Sequence, residues 1–499
     1  MSAVGGPSSG RRPARLVVVG GGITGLAAAH RAVERTRPGE VEVILLEAQD
    51  RLGGVITTQR RDGFLVEGGP DSFISEKPAA IELCKRLGLG GRLIPTNDRF
   101  RRTLVVRDGR LIPLPDGFQL LGPTRFLPFL LSPVLSRRGK LVAAKDLVLP
   151  RGGPPPGGDE SLAHFVRRRL GNEVLERLAQ PLVGGIYIAD PETLSLASTM
   201  PRFLELERRY RSVILGLRAQ AKAAGAASGT SGARFGLFVT LADGLTSMVE
   251  AIVERLPPGA VRTGMAVRAL EPASTDVTAS AERPAWRVVP ETGAAIEADA
   301  VVVALPAHAA ARLLAPLDAQ LADALGGIAY ASSAVVSLAY RRDQVPRVPD
   351  AFGFVVPAIE GRRIIAGSFS SVKYAGRAPE DSVLMRLFVG GALQPELFQL
   401  GDDEIMRIVR EEIRDLLGIT SEPSLTWVQR WPQSMPQYAV GHAQRVATIE
   451  ARAAQLRGLA LAGNAYHGVG LADCVASGEA ATDRLLASLA GRATAGAAA

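Results

Sequence analysis

The segment LVVVGGGITGLAAAHRAVERTRPGEVEVILLE, residues 16–47, decides the fold. Its first four residues are apolar and mostly β-branched, which is typical of a buried parallel strand. An Ala-rich helical stretch and a second apolar strand, which ends at Glu47, come after a glycine-rich turn. That turn fits G-x-G-x-x-G and comprises Gly20, Gly21, Gly22, Ile23, Thr24 and Gly25. The order strand, turn, helix, strand and acid predicts a dinucleotide site, with the turn at the pyrophosphate and Glu47 on a ribose hydroxyl.

Two further blocks indicate which dinucleotide is bound. The first runs from Glu47 to Gly54 and the second from Gly68 to Ser72. Together with the first turn they resemble the FAD-binding front end of the amine oxidase and protoporphyrinogen oxidase superfamily. The resemblance implies FAD as the cofactor, with the first block along its phosphates and the second near its flavin ring. The implied ligands in these blocks are Ala48, Arg51, Gly53, Gly54, Gly68, Gly69, Pro70 and Asp71.

The composition limits the class of protein. With 499 residues the chain exceeds one ordinary domain. It is 47% hydrophobic and 22% charged, as in globular proteins, and its net charge of +8 favours an anionic partner. Only 5% of residues are aromatic and no basic run is interleaved with them, so no nucleic acid partner is expected. The two cysteines and five histidines lack metal-ligand spacing, so no metal site is expected either.

The cellular location is predicted to be cytoplasmic. Two cysteines form no disulfide framework, and the polar, Gly/Ser-rich residues 1–14 lack the apolar core of a signal peptide. Residues 117–138 combine leucines and phenylalanines with three prolines and flanking basic residues. This segment predicts either peripheral contact with the inner face of the cell membrane, with Phe126 and Phe129 as contact residues, or a helix pair packed inside the protein.

The same resemblance extends over the rest of the chain and implies a tetrapyrrole pocket. The implied substrate-binding residues are Gly185, Phe352, Val355, Ile365 and Phe388. The further implied FAD ligands are Val267, Trp431, Gly463, Val469, Gly470 and Leu471. Arg102 is predicted to pair with a substrate propionate, since a guanidinium binds a carboxylate bidentately, although a solvated strand-end arginine is an equal alternative.

The function implied by the resemblance is oxygen-dependent, FAD-dependent oxidation of a porphyrinogen in haem biosynthesis. The substrate is either protoporphyrinogen IX or coproporphyrinogen III, and the flavin itself carries the redox chemistry, so no catalytic side chain is expected. A flavin amine oxidase or carotenoid-type desaturase is the alternative enzyme. Against it, Val469 and Gly470 occupy the position where amine oxidases place an aromatic ring. A non-catalytic FAD-binding protein is the second alternative, and a homodimer is a further expectation.

The predicted fold class is α/β (α+β), with a Rossmann-like FAD-binding domain that is discontinuous in sequence. That domain is predicted to comprise residues 15–98, 236–327 and 425–490. A mixed-sheet substrate-binding domain comprises residues 99–116 and 328–424, and a helical, membrane-associated domain comprises residues 117–235. Flexible tails are predicted over residues 1–14 and 491–499.

Overall fold

The parallel sheet predicted from the first segment is present and has five strands. The computed structural model of the protein describes residues 12–152, 158–223, 238–273, 285–346 and 350–497. Most of the predicted N-terminal tail and the end of the C-terminal tail therefore lie outside the described residues. In spatial order the parallel strands are Val261–Arg262, Val41–Leu46, Ala14–Val19, Ala300–Val303 and Leu459–Leu461.

Both faces of this sheet are covered, which explains why its strands are apolar at successive positions. Leu16 and Val18 pack into a cluster with the helix Ile23–Arg35, whereas Val17 and Val19 pack into a second cluster on the opposite face. All four side chains are at most 3% exposed. Alternate residues of a strand point to opposite faces, so a strand buried on both sides has no polar positions.

The C-terminal helix fixes the end of the chain against the first helix. It spans Leu471–Ala497, so the tail predicted from residue 491 begins inside it. A Cβ atom at Gly478 would lie 2.2 Å from the carbonyl oxygen of Thr24, so glycine permits close packing of the two helices. The N-termini of both helices therefore lie at the same edge of the parallel sheet.

A seven-stranded mixed sheet forms the second layer. In spatial order its strands are Leu425–Pro436, Tyr330–Arg341, Ser382–Gly390, Ala366–Ser368, Gly353–Val355, Thr103–Arg107 and Arg110–Pro113. The last two form a hairpin, with Asp108 and Gly109 at positive φ in its turn. The first strand pairs with Tyr330–Arg341 along most of its length, so the sheet extends beyond the domain boundary predicted at residue 424.

A helical unit lies between the hairpin and the strand Phe238–Leu241. Its α-helices are Phe126–Leu131, Arg137–Ala144, Leu162–Leu170, Asn172–Val174, Gln180–Tyr187, Leu196–Thr199, Pro201–Tyr210 and Val213–Ala223. The helix Leu162–Leu170 ends at Gly171, which has φ of +88°. A π-helix, Leu175–Ala179, then leads into Gln180–Tyr187.

A buried ion pair holds this helical unit together. Arg169 Nε donates to Asp146 Oδ1 at 2.6 Å, and the two side chains are 2% and 0% exposed. Asp146 Oδ2 also accepts hydrogen bonds from Ser212 Oγ at 2.5 Å and from the Ile214 N–H at 3.0 Å. Removing the charge of either Arg169 or Asp146 would leave the other side chain charged, buried and unpaired, which would strongly destabilise the folded state.

The remaining elements connect these layers. The other α-helices are Ala79–Arg86, Thr246–Val253, Ala307–Leu314, Ala319–Gly326, Ser370–Lys373, Asp402–Leu417 and His442–Ala453. Short antiparallel strands pair Thr58–Arg61 with Phe64–Glu67, Phe238–Leu241 with Phe73–Ile74 and Leu93–Pro95, and Phe118–Gln119 with Gly122–Pro123. A three-stranded sheet contains Val267–Pro272, Trp286–Pro290 and Ile296–Ala298.

Candidate functional site

The turn after the first strand requires glycine at two positions. Gly20 has φ of +108°, and a Cβ atom there would lie 2.4 Å from the carbonyl oxygen of Ala304. A Cβ atom at Gly25 would lie 1.9 Å from the carbonyl oxygen of Gly20. At Gly22, in contrast, the backbone is extended and no described atom lies within 4 Å of such a Cβ. Open space therefore faces Gly22 at the N-terminus of the helix Ile23–Arg35, where an anion such as a pyrophosphate can bind.

Glu47 lies beside this turn at the end of the neighbouring strand. Its Oε2 accepts a hydrogen bond from the Gly21 N–H at 2.6 Å, and its Oε1 accepts one from the Gln49 N–H at 2.8 Å. The side chain is half-buried, and Ala48 next to it is exposed. The carboxylate is thus held at the carboxyl edge of the parallel sheet, where the predicted ribose contact requires it.

The first predicted phosphate block packs directly on the turn. Gly53 forms a parallel bridge with Gly22, and a Cβ atom at Gly54 would lie 3.2 Å from the Gly22 Cα. Arg51 donates from Nη2 to the Gly54 carbonyl oxygen at 2.5 Å. The Arg51 guanidinium carbon also lies 5.9 Å from the centre of the Trp431 ring. Two residues predicted as FAD ligands, 380 positions apart (431 minus 51), are therefore neighbours in space.

The second predicted block continues the same surface. A Cβ atom at Gly68 would lie 2.4 Å from the ring of Trp427, and one at Gly69 would lie 1.8 Å from the carbonyl oxygen of Val55. Trp431 Nε1 donates to the Gly68 carbonyl oxygen at 2.8 Å. These close approaches explain why both positions are glycine and place the block against the first one.

A charged cluster, defined as Asp71, Lys373 and Arg386, lies where this block meets the mixed sheet. Asp71 follows Pro70, and its two carboxylate oxygens each lie 3.0 Å from Lys373 Nζ, with Arg386 Nη1 at 3.4 Å. Arg386 Nη2 donates to the Gly69 carbonyl oxygen. Burial alone would raise the pKa of Asp71, but Lys373 and Arg386 outweigh it and hold that pKa well below its ordinary value. The carboxylate is therefore ionised in the folded protein.

The C-terminal glycine-rich turn reaches the same edge of the parallel sheet. It follows the strand Leu459–Leu461 and ends where the helix starting at Leu471 begins. The Gly463 N–H donates to Ser477 Oγ at 3.0 Å, so the turn is tied to that helix. In parallel sheets the loops after the strands form the ligand crevice, and Gly463, Gly470 and Leu471, which are predicted to bind FAD, lie in or directly after such a loop.

Tyr438 clamps this turn and was not identified from the sequence. Its hydroxyl donates to the Asn464 carbonyl oxygen at 2.6 Å and accepts from the Gly468 N–H at 2.9 Å. Burial raises the pKa of Tyr438, so the hydroxyl keeps its proton and can donate. Identifying Tyr438 from the sequence would have required knowing that it contacts a turn 26 positions further along the chain.

The predicted substrate residues lie on the mixed sheet and on the helical unit facing it. A Cβ atom at Gly185 would lie 3.7 Å from Val355 Cγ1. The Ile365 N–H donates to the Phe388 carbonyl oxygen at 2.8 Å on neighbouring strands. Val355 belongs to the apolar core of the helical unit, and Phe388 and Val469 each pack against that core. We call the set Gly185, Val355, Phe388 and Val469 the apolar junction, because it joins predicted substrate residues to a predicted FAD ligand.

Three other predicted residues, Phe352, Arg102 and Val267, are not members of the apolar junction. Phe352 is buried, and its N–H donates to the Arg102 carbonyl oxygen at 2.9 Å. The Arg102 side chain is exposed, and its guanidinium forms no hydrogen bond or ion pair with any described residue. Val267 is half-buried in a strand of the three-stranded sheet, and the backbone two residues before it, Met265 N–H, donates to the Glu47 carbonyl oxygen at 2.7 Å.

Comparisons with known proteins agree with this geometry. The profile of the family described as flavin containing amine oxidoreductase matches residues 23–486. The chain belongs to that family. Coproporphyrinogen III oxidase of Propionibacterium freudenreichii is 38% identical over 94% of this chain and 90% of its own length. Coproporphyrinogen III oxidase of Bacillus subtilis is 36% identical over 94% of this chain and 97% of its own length.

A solved structure from Exiguobacterium sp. 255-15, provisionally named a protoporphyrinogen oxidase, superposes with a TM-score of 0.82. It is 31% identical and covers 95% of this chain and 99% of that one. The flavin oxidoreductase family and the FAD cofactor predicted from the glycine blocks are therefore confirmed. The individual FAD ligands and substrate contacts remain predictions, which the open space at Gly22 and the apolar junction support.

Proposed function

We propose that the protein is an FAD-dependent oxidase that converts a porphyrinogen to the porphyrin with molecular oxygen in haem biosynthesis. The observation that carries this proposal is the apolar junction, because Gly185 of the helical unit faces Val355 of the mixed sheet, and Phe388 and Val469 pack against the same apolar core. A porphyrinogen is a large macrocycle of four pyrrole rings joined by methylene bridges, and its faces are mostly apolar, so walls such as Val355 and Phe388 suit it better than they suit a cationic amine. The names of the two bacterial relatives favour coproporphyrinogen III over protoporphyrinogen IX.

The residues present fit bound FAD. The open space at Gly22, the helix N-terminus behind it and the carboxylate of Glu47 provide sites for a pyrophosphate and a ribose. Bound FAD would supply the hydride acceptor, and the chain would orient the substrate and exclude water. Val355 and Phe388 would align the macrocycle, and Tyr438 would keep the C-terminal turn in position.

Arg102 is proposed to fix the orientation of the macrocycle. An apolar, nearly symmetric ring can rotate between flat walls, whereas a propionate paired with a guanidinium cannot. The exposed Arg102 side chain has no described partner that a propionate would have to displace. Since coproporphyrinogen III carries more propionates than protoporphyrinogen IX, an exposed guanidinium at Arg102 favours the former.

A substitution at Gly185 tests the proposed pocket. Because a Cβ atom there would already be 3.7 Å from Val355 Cγ1, the branched side chain of Gly185→Val should narrow the junction. We expect porphyrin formation, followed by porphyrin fluorescence, to fall at least tenfold while the flavin absorbance stays unchanged. Wild-type turnover in Gly185→Val would remove the junction from the substrate path.

Peripheral membrane contact is proposed for the first helices of the helical unit. The support is a set of large apolar side chains, each 53–74% exposed, comprising Leu127, Leu130, Leu131, Leu141 and Val148. Arg125, Arg137 and Arg138 are exposed nearby and would attract anionic lipid. No helix in the described part of the chain is both long and apolar enough to cross a bilayer.

The contact residues predicted from the sequence need correction. Phe129 is 4% exposed and stacks on Phe118, with ring centres 6.3 Å apart, because the short helix turns it inward. Phe126 is half-buried and lies 4.5 Å from the guanidinium of Arg218. The exposed leucines, and not these two phenylalanines, would therefore enter a lipid surface.

A further inference from the structure

The charged cluster contacts residues predicted on both sides of the site. Arg386 lies two residues before Phe388 of the apolar junction, on the same face of their strand. Its Nη2 donates to the carbonyl oxygen of Gly69, which belongs to the second predicted FAD block. The cluster therefore lies between the cofactor side and the substrate side of the site.

Arg386 is also buried and incompletely paired. Its side chain is 3% exposed, and within the described ranges its Nε has no hydrogen-bond partner. A buried guanidinium with a free N–H is costly unless some other group accepts from it or benefits from its charge. The guanidinium carbon of Arg386 lies 5.4 Å from the centre of the Phe388 ring, and this contact offsets only a small part of the cost of burial.

The cluster and its surroundings carry an excess of positive charge. Lys373, Arg386 and the buried Arg377 are cations, against the two carboxylates Asp71 and Glu67. Arg377 donates to the carbonyl oxygens of Ala242 at 3.0 Å and Leu241 at 2.8 Å, and these hydrogen bonds fix the position of its guanidinium. Glu67 accepts hydrogen bonds from Thr58 Oγ1 at 2.7 Å and from the Leu245 N–H at 2.9 Å.

We propose that the charged cluster raises the reduction potential of bound FAD by stabilising the negative charge that the flavin gains on reduction, with Arg386 as its principal residue. This inference rests on the proposed function and goes beyond it, because it assigns to Arg386 and Lys373 an electrostatic role toward the cofactor. A buried cation near a developing negative charge acts strongly, since little water screens it.

The test is the two-electron midpoint potential of the FAD-loaded enzyme, measured anaerobically against a reference dye. Arg386→Met and Lys373→Gln each remove one positive charge and should make reduction at least tenfold less favourable, a fall of about 30 mV. Asp71→Asn removes a negative charge and should raise the potential. The affinity for sulfite, which forms an anionic adduct with oxidised flavin, should change in the same directions and by at least tenfold.

Arg430→Met is the matched control, because Arg430 is in the same sheet but pairs with Asp402 at 2.6 Å and the Phe398 carbonyl oxygen at 2.7 Å. It should leave the potential and the sulfite affinity unchanged. If Arg386→Met fails to fold, Lys373→Gln keeps a hydrogen-bond donor for Asp71 and decides the question.

Two outcomes would overturn the inference. One is an unchanged potential in both Arg386→Met and Lys373→Gln, and the other is a shift of Asp71→Asn in the same direction as theirs. A wild-type chain that takes up no FAD would overturn the proposed function as well. A loaded enzyme with unaltered potentials in the variants would overturn only the role of the cluster.

Discussion

The substitution Gly22→Val separates cofactor binding from folding. The backbone at Gly22 has φ of −69° and ψ of 174°, which valine adopts without strain, and its Cβ would meet no described atom within 4 Å. The stability of the apoprotein should therefore change by no more than about 0.5 kcal/mol, as at ordinary surface positions. The two added methyl groups would occupy the space where the pyrophosphate is proposed to bind, so FAD affinity should be lost.

The magnitude follows from linkage. At an FAD concentration of 100 times its dissociation constant, binding to the native state stabilises the wild type by about 2.7 kcal/mol. Chemical denaturation with and without FAD should show this difference for the wild type and none for Gly22→Val. The matched control is Gly25→Ala, whose Cβ would lie 1.9 Å from the Gly20 carbonyl oxygen and should destabilise the apoprotein by about 1–3 kcal/mol.

Two results would refute this reasoning. Wild-type FAD affinity in Gly22→Val would mean that the pyrophosphate does not approach the turn. An apoprotein of Gly22→Val as unstable as that of Gly25→Ala would mean that the space in front of Gly22 is needed for folding.

Three further predictions concern the substrate, the membrane and pH. Arg102→Ala should lose about 1.5–3 kcal/mol of binding to a propionate, so kcat/KM for coproporphyrinogen III should fall roughly ten- to a hundredfold with an unchanged flavin spectrum; wild-type kinetics would exclude it from the site. The wild type should co-sediment with vesicles that contain anionic lipid at low salt, whereas a variant with aspartate in place of Leu127, Leu130 and Leu131 should not. Equal sedimentation of the two proteins would exclude this surface from membrane contact. Burial lowers the pKa of His442 below its ordinary value of 6.5, so the unfolded state binds that proton more readily. Stability should therefore decrease as pH falls below 6.5, and His442→Phe should reduce this dependence in thermal unfolding; an identical pH profile would refute it.

The sequence predicted best where function depends on local backbone geometry. Gly25 is required by its close approach to Gly20 within one turn, and Gly20 has a positive φ, so the spacing of these glycines predicted the dinucleotide site from local sequence. The hairpin at Asp108 and Gly109 follows the same rule, since Asp-Gly is a local signal for a turn that needs positive φ.

Features that depend on distant contacts were not predictable in this way. Lys373 and Asp71 are 302 positions apart, and no local pattern indicates that they form an ion pair. The inward orientation of Phe129 depends on Phe118 and on packing of the helical unit, so composition alone gave the wrong contact residues. Gly185 and Val355 were assigned to one tetrapyrrole pocket only by the family resemblance, because no local pattern shows that they lie 3.7 Å apart.

The most direct test of the central claim is an anaerobic titration of the FAD-loaded protein with coproporphyrinogen III, protoporphyrinogen IX and a primary amine. We expect coproporphyrinogen III to bleach the flavin absorbance as porphyrin fluorescence appears. Admitting oxygen should restore the absorbance, and the amine should have no effect. The assignment as a porphyrinogen oxidase would be contradicted if only the amine bleached the flavin, or if none of the three compounds did.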